Sequence, residues 1–237
     1  MPVFLLSDHN FAFPDPRHAD PSGVVAVGGD FHPDRLIAAY SQGIFPWPCE
    51  GYPLLWHSPP QRFVLRPADV RINRSLAKAM RKRPYEIRLD TAFSQVIQRC
   101  QQTPRPGQDG TWLTDDLRAS FTELHRRGWA HCAEAWQDGK LVGGLYGMAI
   151  GGLFCGESMF ARAENASKIA LVTLCHQLAR WQFRLLDAQV ETPHLAALGA
   201  RMMPRAQFLT EVAQAAAMPI PPGPWRLDES LKHGPDV

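Results

Sequence analysis

The stretch Leu153 to Glu191, LFCGESMFARAENASKIALVTLCHQLARWQFRLLDAQVE, reads as strand, helix, strand. Leu153 to Met159 and Phe183 to Glu191 have the length and composition of strands. Between them, Asn165 or Ser167 opens a helix carrying Ile169, Val172, Leu174, Cys175, Leu178 and Trp181. That apolar surface is too wide for a helix with one exposed side, so the helix must be largely buried. A helix that joins two strands of one sheet is a crossover, and the two strands are expected to be parallel.

Upstream of the crossover the period of two continues. Ala130 to Trp136 and Leu141 to Ala149 flank Asp138-Gly139, a hairpin turn, and so predict antiparallel strands. Before them, Thr114 or Asp115 caps a helix through Leu117, Phe121 and Leu124 that stops at Gly128. Phe93 to Gln102 is another helix, and one begun near Asn73 continues over Leu76 to Arg83. The first sixty residues are rich in Pro, Gly and aromatics, with one short helix from Pro33 to Gly43. The prolines and polar turn around Ser58 to Gln61 place a boundary there: a small N-terminal domain over residues 1–60 and a larger domain over 61–237. The Pro-rich tail from Pro219 (PIPPGPW) is expected to lie extended over the surface. An antiparallel hairpin sheet joined to one parallel crossover is an α+β arrangement, and it resembles acyltransferases of the Gcn5-related type.

Composition narrows the functions available. A chain of 237 residues that is 45% hydrophobic, with net charge +2, is neither a disordered tail nor a fibre. Five scattered cysteines without a CxxC pair read as reduced thiols, and nine histidines without paired spacing give no support to a metal site. No apolar run reaches the roughly 20 residues that span a bilayer, and the N-terminus lacks the pattern of a secretion signal. A cytoplasmic protein without membrane partners is expected.

Three constellations stand out. Between Arg62 and Arg88 there are nine basic residues and two acidic ones, so this segment alone carries a net +7. Arg71, Arg74, Lys78, Arg81 and Lys82 are spaced by about a helical turn and would form one basic stripe, suited to a phosphate backbone. Asp187 and Gln189 stand two apart, so on a strand both project to one side while Leu186, Ala188 and Val190 face the other. Glu157 ends the preceding strand, and ligands of open sheets bind at strand ends. Beside Phe154, Met159 and Leu145, these three polar groups predict an apolar pocket with a few placed polar atoms. The third constellation is a departure. Gcn5-related acetyltransferases place glycines at the turn into the crossover helix to bind the coenzyme A pyrophosphate, whereas here the run is Arg162-Ala163-Glu164-Asn165-Ala166-Ser167. Filled glycine positions and a carboxylate make acetyl-CoA a poor donor.

FPWP at Phe45 to Pro48, GTWL at Gly110 to Leu113, LFCGESMF at Leu153 to Phe160, ENASK at Glu164 to Lys168, LLDAQ at Leu185 to Gln189 and HLAALGA at His194 to Ala200 follow one another in order. In that order and spacing they resemble the leucyl/phenylalanyl-tRNA–protein transferase family, collinearly from about Phe4 to Leu209. The resemblance implies an enzyme that moves Leu or Phe, and less well Met, from aminoacyl-tRNA to the α-amine of proteins beginning with Arg or Lys, marking them for N-degron proteolysis. It implies a monomer with a small N-terminal domain and a Gcn5-related C-terminal domain. Glu157, Asp187 and Gln189 would be the polar active-site groups, and Leu145, Phe154, Met159 and Leu186 the pocket for the donor side chain. Trp47 and Trp112 would flank the 3′-terminal adenosine, and Arg74, Lys78, Arg81 and Lys82 would meet the acceptor stem.

The chemistry asked of such a site is modest. An aminoacyl ester is already activated, so no ATP, metal or coenzyme is required, and the site must hold a neutral amine against a carbonyl. Gln189 could orient the amine, with Asp187 fixing Gln189 or accepting the proton itself; alternatively the donor ribose 2′-hydroxyl shuttles it. Glu157 or Asp187 could pair with the acceptor's cationic side chain. A coenzyme A-dependent acetyltransferase and a non-catalytic tRNA-binding protein are the competing readings.

Overall fold

The computed structural model describes residues 4–7, 9–49, 51–104, 111–219 and 223–237. Its N-terminal part comprises β1 (Phe4–Leu5), β2 (Val24–Val27), α1 (Pro33–Tyr40), β3 (Phe45–Trp47) and β4 (Leu55–His57), with the strands in the order β1-β2-β4-β3. Pro33 opens α1 with its fixed φ, and the His32 ring accepts the Asp34 N–H.

The larger part follows as β5 (Gln61–Leu65), α2 (Arg74–Met80), β6 (Glu86–Leu89), α3 (Phe93–Gln101), α4 (Asp115–Arg126), β7 (Ala130–Gln137), β8 (Lys140–Ile150), β9 (Leu153–Ala161), α5 (Ala166–Arg180), β10 (Leu185–Asp187), α6 (Pro193–Ala197), β11 (Arg201–Pro204) and α7 (Arg205–Ala216). Its seven strands are ordered β11-β5-β10-β9-β8-β7-β6. β6 to β9 form an antiparallel meander, and α5 carries the chain from β9 to its parallel neighbour β10. The protein is therefore α+β, with a small N-terminal and a larger C-terminal part. β5 lies antiparallel between β10 and β11, although more than a hundred residues separate it from them in sequence.

Local chemistry explains the helix ends. Thr114 Oγ1 accepts the Leu117 N–H at 3.2 Å, Asp115 and Asp116 sit in the positive first turn of α4, and Gly128 takes φ +78° just beyond its end. Asn73 caps α2 in the same way. Helix α5 has eleven of its fifteen residues buried, because one side packs on the sheet and another lies beneath the C-terminal segment.

That segment differs from the surface tail expected of PIPPGPW. Residues 220–222 lie outside the described residues, but Trp225 is buried, stacked on His131 at 3.6 Å. Its backbone N–H donates to Asp90 Oδ2, which also bonds His131 Nδ1. Lys232 then offers its carbonyl to the Ile87 N–H at the open edge of β6. An indole of this size has more to gain from burial than the tail loses by ordering. None of the five cysteines is in a disulfide, and four of them are buried.

Candidate active site

The site is built where β9 and β10 lose their regularity. Along the β8–β9 ladder Tyr146 pairs with Ser158 and Gly147 with Gly156, which leaves Glu157 as the extra residue of a β-bulge. The bulge reverses the alternation: Leu153 and Cys155 face one layer before it, whereas Phe160 faces that layer after it. Gly147 opposite is compelled to be glycine, since a Cβ there would lie 2.2 Å from the Cys155 carbonyl oxygen and 2.6 Å from Phe154 Cζ.

The bulge aims Glu157 at two partners. Its Oε1 accepts the Tyr40 hydroxyl at 2.8 Å and the Gln189 Nε2–H at 3.1 Å, so one carboxylate ties α1 to the end of β10. Glu157 keeps accessible surface only where it faces a cavity. Burial of the rest pushes its carboxyl up to about 8, and the Asp187 charge adds to that, while the Tyr40 and Gln189 hydrogen bonds and Arg62 pull the other way. Burial and the neighbouring Glu157 likewise raise the Tyr40 hydroxyl well above its ordinary value.

Strand β10 is shorter than the Phe183 to Glu191 run predicts. It ends at Asp187, whose Oδ1 accepts the Gln189 N–H at 2.9 Å, and Gln189 adopts φ +57°. That left-handed step rotates Gln189 off the face it would share with Asp187 on a continuous strand. Gln189 lines the cavity beside Leu186 and Ala188, and Asp187 lies behind the cavity wall.

There Asp187 meets Arg62 of β5. Arg62 donates Nε to Oδ1 at 2.7 Å and Nη2 to Oδ2 at 2.6 Å, both side chains being essentially inaccessible. The third guanidinium nitrogen donates to the Gly43 carbonyl at 3.1 Å, and the plane lies against Phe45 and Phe208 at 4.4 and 4.6 Å. A carboxylate held by both oxygens in this way is a fixed positioning group and not an open proton acceptor. Arg62 belongs to the basic run in the sequence, yet it is internal.

The cavity has a volume of about 450 Å³. Leu145, Met159 and Leu186 line it as the sequence predicts, and Leu171 of α5 and Leu195 of α6 complete an aliphatic wall that strand periodicity could not reveal. Trp47 and Trp112 line it with Phe45 and Pro48. Phe154 does not reach it: its ring is wholly buried between Gly147 and Trp225. The structure thus brings together Glu157, Gln189, Leu145, Met159, Leu186, Trp47 and Trp112, and sets Asp187 and Phe154 behind the wall. Gly110 of the GTWL motif lies outside the described residues.

The basic stripe is smaller than a helix over Leu76 to Arg83 implies. α2 ends at Met80 with Arg81 as its helical C-cap, so Arg74, Lys78 and Arg81 share a face, while Arg71 precedes the helix and Lys82 follows it. All of Arg71, Arg74, Lys78, Arg81 and Lys82 are exposed, and among the described residues none pairs with an Asp or Glu, although Arg81 Nη1 donates to the Val237 oxygen at 3.3 Å. Arg83, by contrast, pairs with Asp236.

Sequence comparison agrees with this geometry. A family model described as leucyl/phenylalanyl-tRNA protein transferase matches residues 64–213, and the model of that family's N-terminal domain matches residues 29–60. The leucyl/phenylalanyl-tRNA--protein transferase of Myxococcus xanthus is 54% identical over 226 residues, covering 95% of this chain and 97% of its own. Those of Xanthomonas campestris pv. campestris and Nitratidesulfovibrio vulgaris are 49% and 48% identical, each over 98% of this chain and over 94% and 99% of their own. With a cavity that joins an aliphatic wall to a Glu157–Gln189 pair, and similarity spanning both parts of the fold, the chain belongs to the leucyl/phenylalanyl-tRNA protein transferase family of aminoacyltransferases.

Proposed function

We propose that this enzyme moves Leu or Phe, and less well Met, from aminoacyl-tRNA to the α-amine of proteins beginning with Arg or Lys, tagging them for N-degron proteolysis in the cytoplasm. The observation that carries the reading is the single cavity in which Leu145, Met159, Leu171 and Leu186 stand beside the hydrogen-bonded Glu157 and Gln189. Residues 61–237 supply that wall and residues 1–60 supply Tyr40, Phe45 and Trp47. The donor side chain fills the aliphatic part, and Trp47 and Trp112 take the terminal adenosine. Arg74, Lys78, Arg81 and Lys82 meet the acceptor-stem phosphates.

In the transfer step, the acceptor's neutral amine attacks the ester carbonyl and the ribose hydroxyl leaves. Gln189 spends its N–H on Glu157, so its amide oxygen is left to accept a hydrogen bond from the attacking amine and to aim the lone pair. Glu157, largely protonated at neutral pH, puts no full negative charge beside an ester carbonyl that is becoming an oxyanion. Asp187 holds the Gln189 backbone through its N–H, and Arg62 holds Asp187. The amine proton passes to the departing oxygen, directly or through the neighbouring 2′-hydroxyl.

The test is to incubate the protein with Leu-tRNA and a peptide beginning with Arg, and to read the mass of the peptide. A product longer by one leucine supports the reading. Release of free leucine with the peptide unchanged would overturn it.

A further inference from the structure

Residues 223–237 run from the sheet to the basic helix. Trp225 fixes one end: its ring is buried among His131, Trp181 and Phe183, and its backbone N–H donates to Asp90 Oδ2 at 2.7 Å. An indole packed in this way is a firm anchor. Asp228 then pairs with Arg180 at 2.6 Å and donates its N–H to Gln177 Oε1 at 2.8 Å, so the chain follows α5.

Beyond Asp228 the segment lies beside α2 and the turn after it. The Lys232 carbonyl accepts the Ile87 N–H at 2.7 Å, the His233 ring meets the Tyr85 carbonyl at 3.3 Å, and Asp236 pairs with Arg83 at 3.3 Å. The Val237 oxygen accepts from Arg81 Nη1 at 3.3 Å. Gly234 and Pro235 are buried, and a Cβ on Gly234 would stand 3.5 Å from Met80 Cε, 3.8 Å from Thr173 Oγ1 and 3.9 Å from Ile169 Cγ2. The segment is thus wedged between α2 and α5. Helix α2 depends on such support, because it has seven residues, of which two, Leu76 and Met80, are buried. A helix this short is not stable alone, so the direction of its cations follows from what it packs against.

We propose that residues 223–237 are a strap that positions α2 for the acceptor stem, so that loosening the strap weakens the hold on tRNA and spares the transfer chemistry. The inference rests on the reading of α2 as the acceptor-stem contact. Phosphates recur at fixed spacing along a duplex, and a helix free to shift loses several of them together. Among the described residues, none of the strap lines the cavity, so the aminoacyl end has no direct share in the effect.

The experiment measures kcat and KM for two donors, Leu-tRNA and leucyl-adenosine, with an Arg-peptide as acceptor. Leucyl-adenosine carries the same ester and no acceptor stem. Gly234→Val loosens the end beside α2, because Gly234 takes φ +86° and a branched side chain there crowds Met80. Trp225→Leu loosens the other end, and Gly234→Val decides alone if that variant does not fold. Each should raise KM for Leu-tRNA about tenfold and leave kcat, and both constants for leucyl-adenosine, within about twofold of wild type. Added to the Arg74→Ala/Lys78→Ala double variant, which lacks the contacts being positioned, Gly234→Val should have little further effect. Equal losses with the two donors, or an unchanged KM for Leu-tRNA, overturn the strap's role and leave it as packing. Normal Leu-tRNA binding by the Arg74→Ala/Lys78→Ala variant would instead overturn the reading of α2, and this inference with it.

Discussion

Asp187 and Gln189 are two residues apart and bonded to each other, yet their side chains have different partners: Asp187 is closed off by Arg62, and Gln189 lines the cavity. The Gln189 N–H donates to Asp187 Oδ1, Asp187 is gripped by Arg62 behind the sheet, and Gln189 reaches Glu157 in the cavity. The pair is a mount and the part it holds, and the two should respond differently to mutation.

Gln189→Ala should reduce the single-turnover transfer rate by about 10²- to 10⁴-fold, with tRNA affinity and Tm close to wild type. Rapid-quench transfer assays beside thermal melts check this. A fall in Tm with a normal rate per folded molecule would assign Gln189 to structure alone.

Asp187→Asn should instead destabilise, because it leaves the Arg62 guanidinium buried without its counter-charge; the expected loss is about 3 to 5 kcal/mol. Urea unfolding measures it. Arg62→Met, which removes the orphaned charge, should recover part of that loss in the double variant.

Glu157 makes stability depend on pH. Its carboxyl titrates near 8 in the folded protein and near 4.5 when unfolded, so between those values the folded state holds a proton that the unfolded state has released. Stability should therefore decline as pH rises through that window, by up to about 1.4 kcal/mol per unit from this group. Glu157→Gln lacks the titration, so its stability relative to wild type should climb from pH 5 to pH 8. A pH-independent difference in denaturant midpoints would refute the assignment.

Met159 and Phe154 separate pocket from core. Met159→Ala should weaken Leu transfer more than Phe transfer, since the larger ring still fills the enlarged space. Phe154→Ala should cost about 3 to 5 kcal/mol of stability and leave the Leu to Phe ratio unchanged. Competition between the two donors, with melts alongside, distinguishes the cases.

Single alanine changes at Arg74, Lys78, Arg81 and Lys82 should weaken tRNA binding alike for Leu and Phe donors, and each should flatten the slope of log affinity against log salt by about one unit. Filter binding at several salt concentrations reads the slope. Unchanged slopes would leave these side chains as a solvated surface.

What could be read in the sequence was what is local. The hairpin at Asp138-Gly139, the Thr114 cap and the crossover through α5 each announce themselves within one continuous stretch of chain, by period, cap or turn. β5 shows no such sign: its five residues lie between Pro60 and Pro67, in what reads as a domain boundary, and its partners are strands far downstream. The bulge at Glu157 adds one residue without any signature in composition, so the side from which Glu157 acts could not be deduced. Arg62 was indistinguishable from the surface arginines that follow it, because an arginine for an internal carboxylate and one for phosphate are the same residue type. The left-handed step at Gln189 gave no warning either, since no glycine or asparagine marks it.

The place of β5 between β10 and β11 has a consequence for how this chain is made. At about 5 to 20 residues per second, the ribosome finishes Leu65 on the order of ten seconds before Leu185 and Asp187 emerge. Throughout that interval Gln61–Leu65 is a nascent strand with two open edges and an arginine whose counter-ion has not yet been translated. Insertion of β10 on one side and β11 on the other closes both edges late, and only then does β5 acquire its native neighbours.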